Sequence, residues 1–192
     1  MTGVVHRRDQ LLAEAARLFA ERGFHGTTIE DIGAAAGISG PGVYKHYPSK
    51  DAVLASMLVG ISERLLDGAR RQVAEAADDD DALARLVAAH TDFALSEPEL
   101  IRVQDRDLAN LSPDRARAVR RLQRSYAEVW VGVLTRLRPD LPTSDARTAA
   151  HAAFGLLNST PYSGSPRREV LRQMALAALR RVLDRETGIA DR

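Results

Sequence analysis

Residues 27–50 read TTIEDIGAAAGISGPGVYKHYPSK. The stretch has the form of two short helices joined by a glycine turn, followed by a basic-aromatic cluster. Thr27 and Glu30 have capping-box spacing, and Thr28 and Asp31 repeat it one residue on, so a helix starts at Thr27 or Thr28. Ile29, Ile32 and Ala36 face inward along it, and Gly37 closes it and permits a tight turn. Ser39 is a natural N-cap for the next helix, and Pro41 falls in its first turn, where the missing N–H costs nothing. Val43 and Tyr47 are spaced i, i+4 and pack inward, which leaves Gly40, Pro41, Gly42, Tyr44, Lys45 and His46 on the other sides. Pro48 ends this helix and Ser49 caps the one after it. The pattern is that of a helix-turn-helix, although other helical hairpins share it. Charge narrows the reading. Between Asp31 and Asp51 there is no acidic residue, while Lys45, His46 and Lys50 supply positive or potentially positive charge and Tyr44 and Tyr47 interleave with them. Such a surface suits phosphate contact.

Upstream, a helix is predicted from about Val5 to Arg22, with Leu12, Ala15, Ala16 and Phe19 on one buried face and Gly23 at its C-terminal stop. Arg7 and Arg8 lie at the wrong end for the helix dipole. They are read either as a frayed, solvated terminus or as a basic arm near phosphate.

Downstream lies a larger helical body. A fourth helix is predicted from Ser49 or Lys50 to about Ala76, with Val53, Leu54, Met57, Leu58, Ile61, Leu65 and Leu66 as its apolar face. Asp78–Asp81 lack the alternating ligands and glycine of a calcium loop. They read as a solvated linker that places negative charge before the next helix. Further helices are expected over about Ala82–Leu95, from Pro98 through Leu108, from Ser112 to about Arg138, from Thr143 or Ser144 to Leu157, and from about Arg167 to Arg185. The last carries a wide apolar stripe of Val170, Leu171, Met174, Ala175, Ala178, Leu179, Val182 and Leu183. That is more than one body needs, so surface remains to be buried.

The chain of 192 residues is 45% hydrophobic with a formal net charge of +1, so any affinity for nucleic acid must come from a local patch. It has no cysteine, which excludes disulfides and thiolate zinc sites. No apolar run approaches the ~18 residues that span a bilayer, and the N-terminus lacks the apolar core of a signal peptide. A soluble, cytoplasmic, all-α protein is expected. No metal or other cofactor is implied, and no acid–base pair or Ser/His/Asp arrangement emerges from spacing, so no enzymatic activity is expected.

Residues 11–54 resemble the DNA-binding domain of the TetR-type (tetracycline-repressor) regulators. The resemblance is carried by Phe19, Gly23, Phe24, Thr27-Thr28, Asp31-Ile32, Ala36-Gly37-Ile38-Ser39, Val43-Tyr44, His46-Tyr47, Ser49-Lys50 and Leu54. It implies an N-terminal three-helix domain over residues 1–48 and a C-terminal helical bundle over 49–192 for effector binding and dimerisation. It also implies a third helix in the major groove of double-stranded DNA, with phosphate contacts from Thr28, Tyr44, His46 and Lys50. Gly40, Pro41, Gly42 and Lys45 would face base edges. Such a reader helix is thin in polar groups: the glycines offer close backbone approach, Pro41 can touch a thymine methyl, and Lys45 is the flexible donor. Specificity is therefore expected to lean on DNA shape as well.

The resemblance further implies a homodimer sealed by the last two helices and a palindromic operator. It also implies a small-molecule effector in a pocket bounded by helices five to eight, with His90, Phe93, Tyr126, Trp130, His151, Phe154 and Asn158 as candidate lining. His90, His151 and Trp130 can equally be core residues. Arg102, Arg106, Arg117, Arg120, Arg121 and Arg124 read either as a solvated face or as a grip on an anionic effector such as an acyl-CoA, with Arg106 a candidate ligand residue. The expected function is a repressor released by a largely apolar effector. An effector-independent DNA-binding protein is the alternative, and a helical enzyme or ligand carrier stands behind both.

Overall fold

The computed structural model describes residues 2–184, with side chains from Arg7 onward. Among these residues there are nine α-helices and no strand: α1 Thr2–Arg22, α2 Ile29–Ala35, α3 Gly40–Tyr44, α4 Lys50–Ala74, α5 Asp79–Ser96, α6 Pro98–Asp107, α7 Pro113–Leu137, α8 Thr143–Leu157 and α9 Arg168–Leu183. Short 3-10 turns follow α6 and α8. None of these helices is long and apolar enough to cross a membrane. The expected end of α9 at Arg185 lies outside the described residues.

The helices form two compact units. The first holds the chain up to Glu63 together with Glu99–Leu122; the second holds Arg64–Pro98 together with the chain from Gln123 onward. The chain therefore passes from one to the other within α4, after Pro98, and within α7. Residue 48 falls inside the first unit.

The first unit is built on the helix-turn-helix. Leu11, Leu18 and Phe19 of α1, Ile32 of α2, Val43 of α3 and Leu54 and Leu58 of α4 are buried to within a few per cent. The second unit joins α5, α8 and α9, which pack on one another, with Leu83, Leu86, Trp130, Leu134, Leu157 and Leu179 fully buried.

Local chemistry set the helix ends, and several differ from expectation: α1 begins at Thr2 and not Val5, and α3 stops at Tyr44, short of Pro48. α5 begins at Asp79, three residues before the expected Ala82. The aspartates are not linker. Asp78 is its N-cap, accepting the Asp81 N–H at 2.8 Å, and Asp79, Asp80 and Asp81 fill the first turn, where the helix dipole favours them.

Candidate nucleic-acid interface and the aromatic cluster of the body

Of the two overlapping capping boxes in the sequence, the structure uses the second. Thr28 Oγ1 accepts the Asp31 N–H at 3.0 Å, and Asp31 Oδ2 accepts the Thr28 N–H at 2.9 Å and its hydroxyl at 2.7 Å. These bonds, the hydroxyl's above all, hold the Asp31 carboxyl below its ordinary range. Thr27 is instead buried, and its hydroxyl donates back to the Gly23 carbonyl at 2.9 Å. Gly37 takes φ of +69°, the left-handed conformation that ends α2. Ser39 then caps α3 by accepting the Gly42 N–H at 3.3 Å.

α3 presents the candidate reading surface. Val43 and Tyr47 are buried beneath it, while Pro41, Tyr44 and Lys45 are exposed and Gly40, Gly42 and His46 half-buried. Thr28, exposed at the start of α2, belongs to the same compact unit. Two features of this surface escaped the sequence reading. A Cβ on Gly33 would lie 2.9 Å from the Ile38 carbonyl oxygen and 3.1 Å from Val43 Cγ2, so glycine lets the turn and α3 close onto α2. A Cβ on Gly40 would lie 3.2 Å from Glu30 Oε1. An acceptor thus stands beside the bare start of α3.

The basic residues divide their work. Lys50 donates to the carbonyls of Phe24 at 2.6 Å and Thr27 at 2.7 Å, and its ammonium lies 4.4 Å from the Phe24 ring centroid. Two of its three N–H groups thus hold the loop before α2. Arg7 donates to the Ala36 carbonyl at 3.1 Å, at the C-terminus of α2. Arg8 lies 5.1 Å over the Tyr47 ring and donates to the His46 carbonyl at 3.4 Å. Neither arginine is a frayed terminus: both tie α1 to the helix-turn-helix.

In the second unit, His90 is 3% exposed at the centre of an aromatic cluster. It stacks on Phe154 at 5.1 Å and Tyr126 at 5.7 Å and meets Trp130 edge-on at 6.0 Å and Phe93 edge-on at 5.8 Å. Its Nδ1 pairs with the Tyr126 hydroxyl at 2.7 Å and its Nε2 with Asn158 Oδ1 at 3.0 Å. As Asn158 is oriented, Nε2 carries the proton and donates, and Nδ1 accepts from the phenol. Burial lowers the imidazole pKa to about 4, opposed by the Asn158 bond, and burial pushes the Tyr126 phenol up. The histidine is therefore neutral. Trp130 opposes the rise at Tyr126, and its buried indole N–H has no hydrogen-bond partner among the described residues.

Of the residues named from sequence, His90, Phe93, Tyr126, Trp130, Phe154 and Asn158 come together. His151 is exposed on α8 and touches the cluster through the edge of Phe154 at 5.8 Å. Arg106 does not join it. It lies in the other compact unit, where its guanidinium donates to the Phe19 carbonyl and pairs with Asp107. Arg117, Arg120, Arg121 and Arg124 are exposed along α7, and Arg117 pairs with Asp114.

Comparison with known proteins agrees with this geometry. The model of bacterial regulatory proteins of the tetR family matches residues 11–57, and that of the tetracyclin repressor-like C-terminal domain matches residues 76–162. The HTH-type transcriptional repressor KstR2 of Mycobacterium tuberculosis is 30% identical over 142 residues, which cover 70% of this chain and 71% of that protein. The chain belongs to the tetR family. KstR2 of Rhodococcus jostii is 32% identical over 69% of this chain and 66% of its own length. Among tetR-family structures, a regulator from Bordetella parapertussis superposes with a TM-score of 0.81 at 26% identity, covering 90% of this chain and 93% of that one. The ketosteroid transcriptional regulator KstR2 of M. tuberculosis superposes with a TM-score of 0.74 at 27% identity, covering 92% of this chain and 93% of that one. As a tetR-family protein this chain is a DNA-binding transcriptional regulator with an N-terminal helix-turn-helix and a C-terminal helical domain.

Proposed function

We propose that this regulator is a homodimeric repressor that occupies a palindromic operator and leaves it when a small, largely apolar effector enters the body. The observation that carries the DNA-binding half is the surface of α3, where Pro41, Tyr44 and Lys45 stand exposed on a helix anchored by buried Val43 and Tyr47. Residues 1–48, joined by Lys50 just beyond them, make the DNA contacts: Tyr44, His46, Thr28 and the remaining Lys50 N–H group meet phosphates, while Gly40, Pro41, Gly42 and Lys45 meet base edges. Residues 49–192 bind effector and pair the copies, through α8 and α9. The protein works in the cytoplasm and catalyses nothing.

The aromatic cluster supports a ring-bearing, uncharged effector moiety, because neutral His90 among Phe93, Tyr126, Trp130 and Phe154 offers stacking faces and no charge. The ketosteroid named for KstR2 is of that kind. An acyl-CoA-like effector is the version the exposed α7 arginines would serve. One observation favours a second reading, an effector-independent regulator: Trp130 is fully buried and His90 has both ring nitrogens bonded.

Selection of sites from random duplexes by the full-length protein tests the first half. Enriched sites should show two-fold symmetry with half-sites about one helical turn apart. They should be bound at least ~10³-fold more tightly than random DNA, with affinity falling steeply with salt. No enriched sequence would reject a specific regulator. Titrating the bound complex with steroid acids, fatty acids and their CoA thioesters tests the second half. Release by one class identifies the effector, and operator affinity unchanged by all of them selects the second reading.

A further inference from the structure

Resting on the DNA-binding reading above, we propose that Arg106 and Asp107, at the end of α6, are positioning residues for operator recognition: they clasp the loop that sets α2 and α3. The loop is Gly23–Thr27, between α1 and α2. On one side Lys50 holds its Phe24 and Thr27 carbonyls. On the other, Asp107, 2% exposed, accepts the Phe24 N–H at 3.4 Å and the Arg106 Nε and Nη2 at 3.2 and 3.0 Å. Arg106 donates in turn to the Phe19 carbonyl in the last turn of α1. Its guanidinium carbon would lie 3.6 Å from a Cβ on Gly23, which takes φ of +79°. Asn110, just past α6, donates to Asp107 at 3.4 Å and pairs with His25 Nε2 at 2.9 Å through its Oδ1. A buried carboxylate is stable only with its charge and lone pairs satisfied. Asp107 meets that demand with groups of the loop and of α6 together, so the two segments are fixed to each other.

What the clasp fixes reaches the DNA. Thr27 leads directly to the Thr28 cap of α2, and α2 carries α3 through the close approach at Gly33. α6 begins at Pro98, where the chain leaves the second compact unit. The loop is therefore held from both sides by helices, α4 and α6, that adjoin that unit in sequence. Arg106 itself donates to Phe19 and Asp107, so its effect on DNA passes through the loop and not through a phosphate.

The test compares full-length wild-type protein with Arg106→Ala, Arg106→Lys, Asp107→Ala and Asp107→Asn. Affinity is measured for the selected site and for random duplex across a salt series, alongside melting temperature. A positioning role predicts operator affinity lowered about tenfold, the worth of one misplaced base contact. Random-duplex affinity and salt slope should not change, and Arg106→Lys and Asp107→Asn should recover part of the loss. A parallel loss on both DNAs, with the salt slope reduced by about one, would make Arg106 a phosphate contact and overturn the proposal. So would variants that melt lower yet keep the wild-type ratio of operator to random binding. If both alanine variants fail to fold, the two conservative variants decide by the same ratio. Wild-type protein without any preferred site would sink the DNA-binding reading itself, and the clasp with it.

Discussion

His90 is a titratable group that the fold keeps neutral. Its ring lies among four aromatic side chains, and burial sets its pKa near 4 against an ordinary 6.5. Between those values the unfolded chain binds a proton that the folded chain does not, so stability falls as pH drops from about 6.5 to about 4. The slope contributed is at most about 1.4 kcal/mol per pH unit. Denaturant unfolding across that range should show the slope in wild type and its loss in His90→Phe, which should also be less stable at neutral pH because the Tyr126 hydroxyl and Asn158 lose a partner. An unaltered slope in the variant would place the titration elsewhere. From sequence, His90 reads either as pocket lining or as a core residue. Its partners lie 36 and 68 residues away, and no local rule reaches that far. Arg106 shows the same limit from the other side. Its place in an arginine-rich stretch suggests an effector contact, but its bonds go to Asp107 and Phe19, and sequence spacing shows neither the Phe19 bond nor its place in a different compact unit from the aromatic cluster.

At the scale of the element, the helix-turn-helix was readable because its instructions are local. Ser39, Pro41, Gly37 and the Thr28–Asp31 box act within four residues of themselves, and each appears where the sequence placed it. Gly33 was not readable. It sits inside a helix, where glycine looks only unfavourable, and its reason lies in the turn and α3 that fold back over it. Gly33→Ala should gain about 1 kcal/mol of helix propensity. Against this, its Cβ would stand 2.9 Å from the Ile38 carbonyl oxygen, a backbone atom that cannot rotate away. Overpacking of this kind costs roughly 1–3 kcal/mol. The net expectation is a slightly lower melting temperature and a larger loss of operator affinity, because relief requires α3 to shift. Melting and DNA binding measured on the same preparation check this. A variant that is more stable and binds as tightly as wild type would show that the close approach is unimportant.

At the scale of the whole molecule, α8 and α9 leave apolar side chains exposed among the described residues. α9 buries Ala175 and Leu179, and it packs against α5 and α8 of its own chain. Its other side leaves Val170 44% and Met174 53% exposed, while α8 exposes His151, Ala152 and Gly155. A Cβ on Gly155 would meet nothing within 4 Å, so a second backbone can come close there. Sequence made the surplus stripe on α9 visible through its width, but which residues would stay exposed depended on how α5 and α8 covered it. A two-fold axis against this face would pair α8 and α9 with their copies and set two α3 helices for one palindromic site. Replacing Met174 and Val170 together by glutamate would bury unpaired charge in such an interface while leaving the core untouched. The doubly substituted protein should sediment as a monomer with its helical content preserved. Without the second head tethered nearby, its operator affinity should fall roughly 10²–10⁴-fold, while its much weaker binding to an isolated half-site equals that of wild type. A variant that remains dimeric and holds the full operator as tightly as wild type would move the pairing surface off α9.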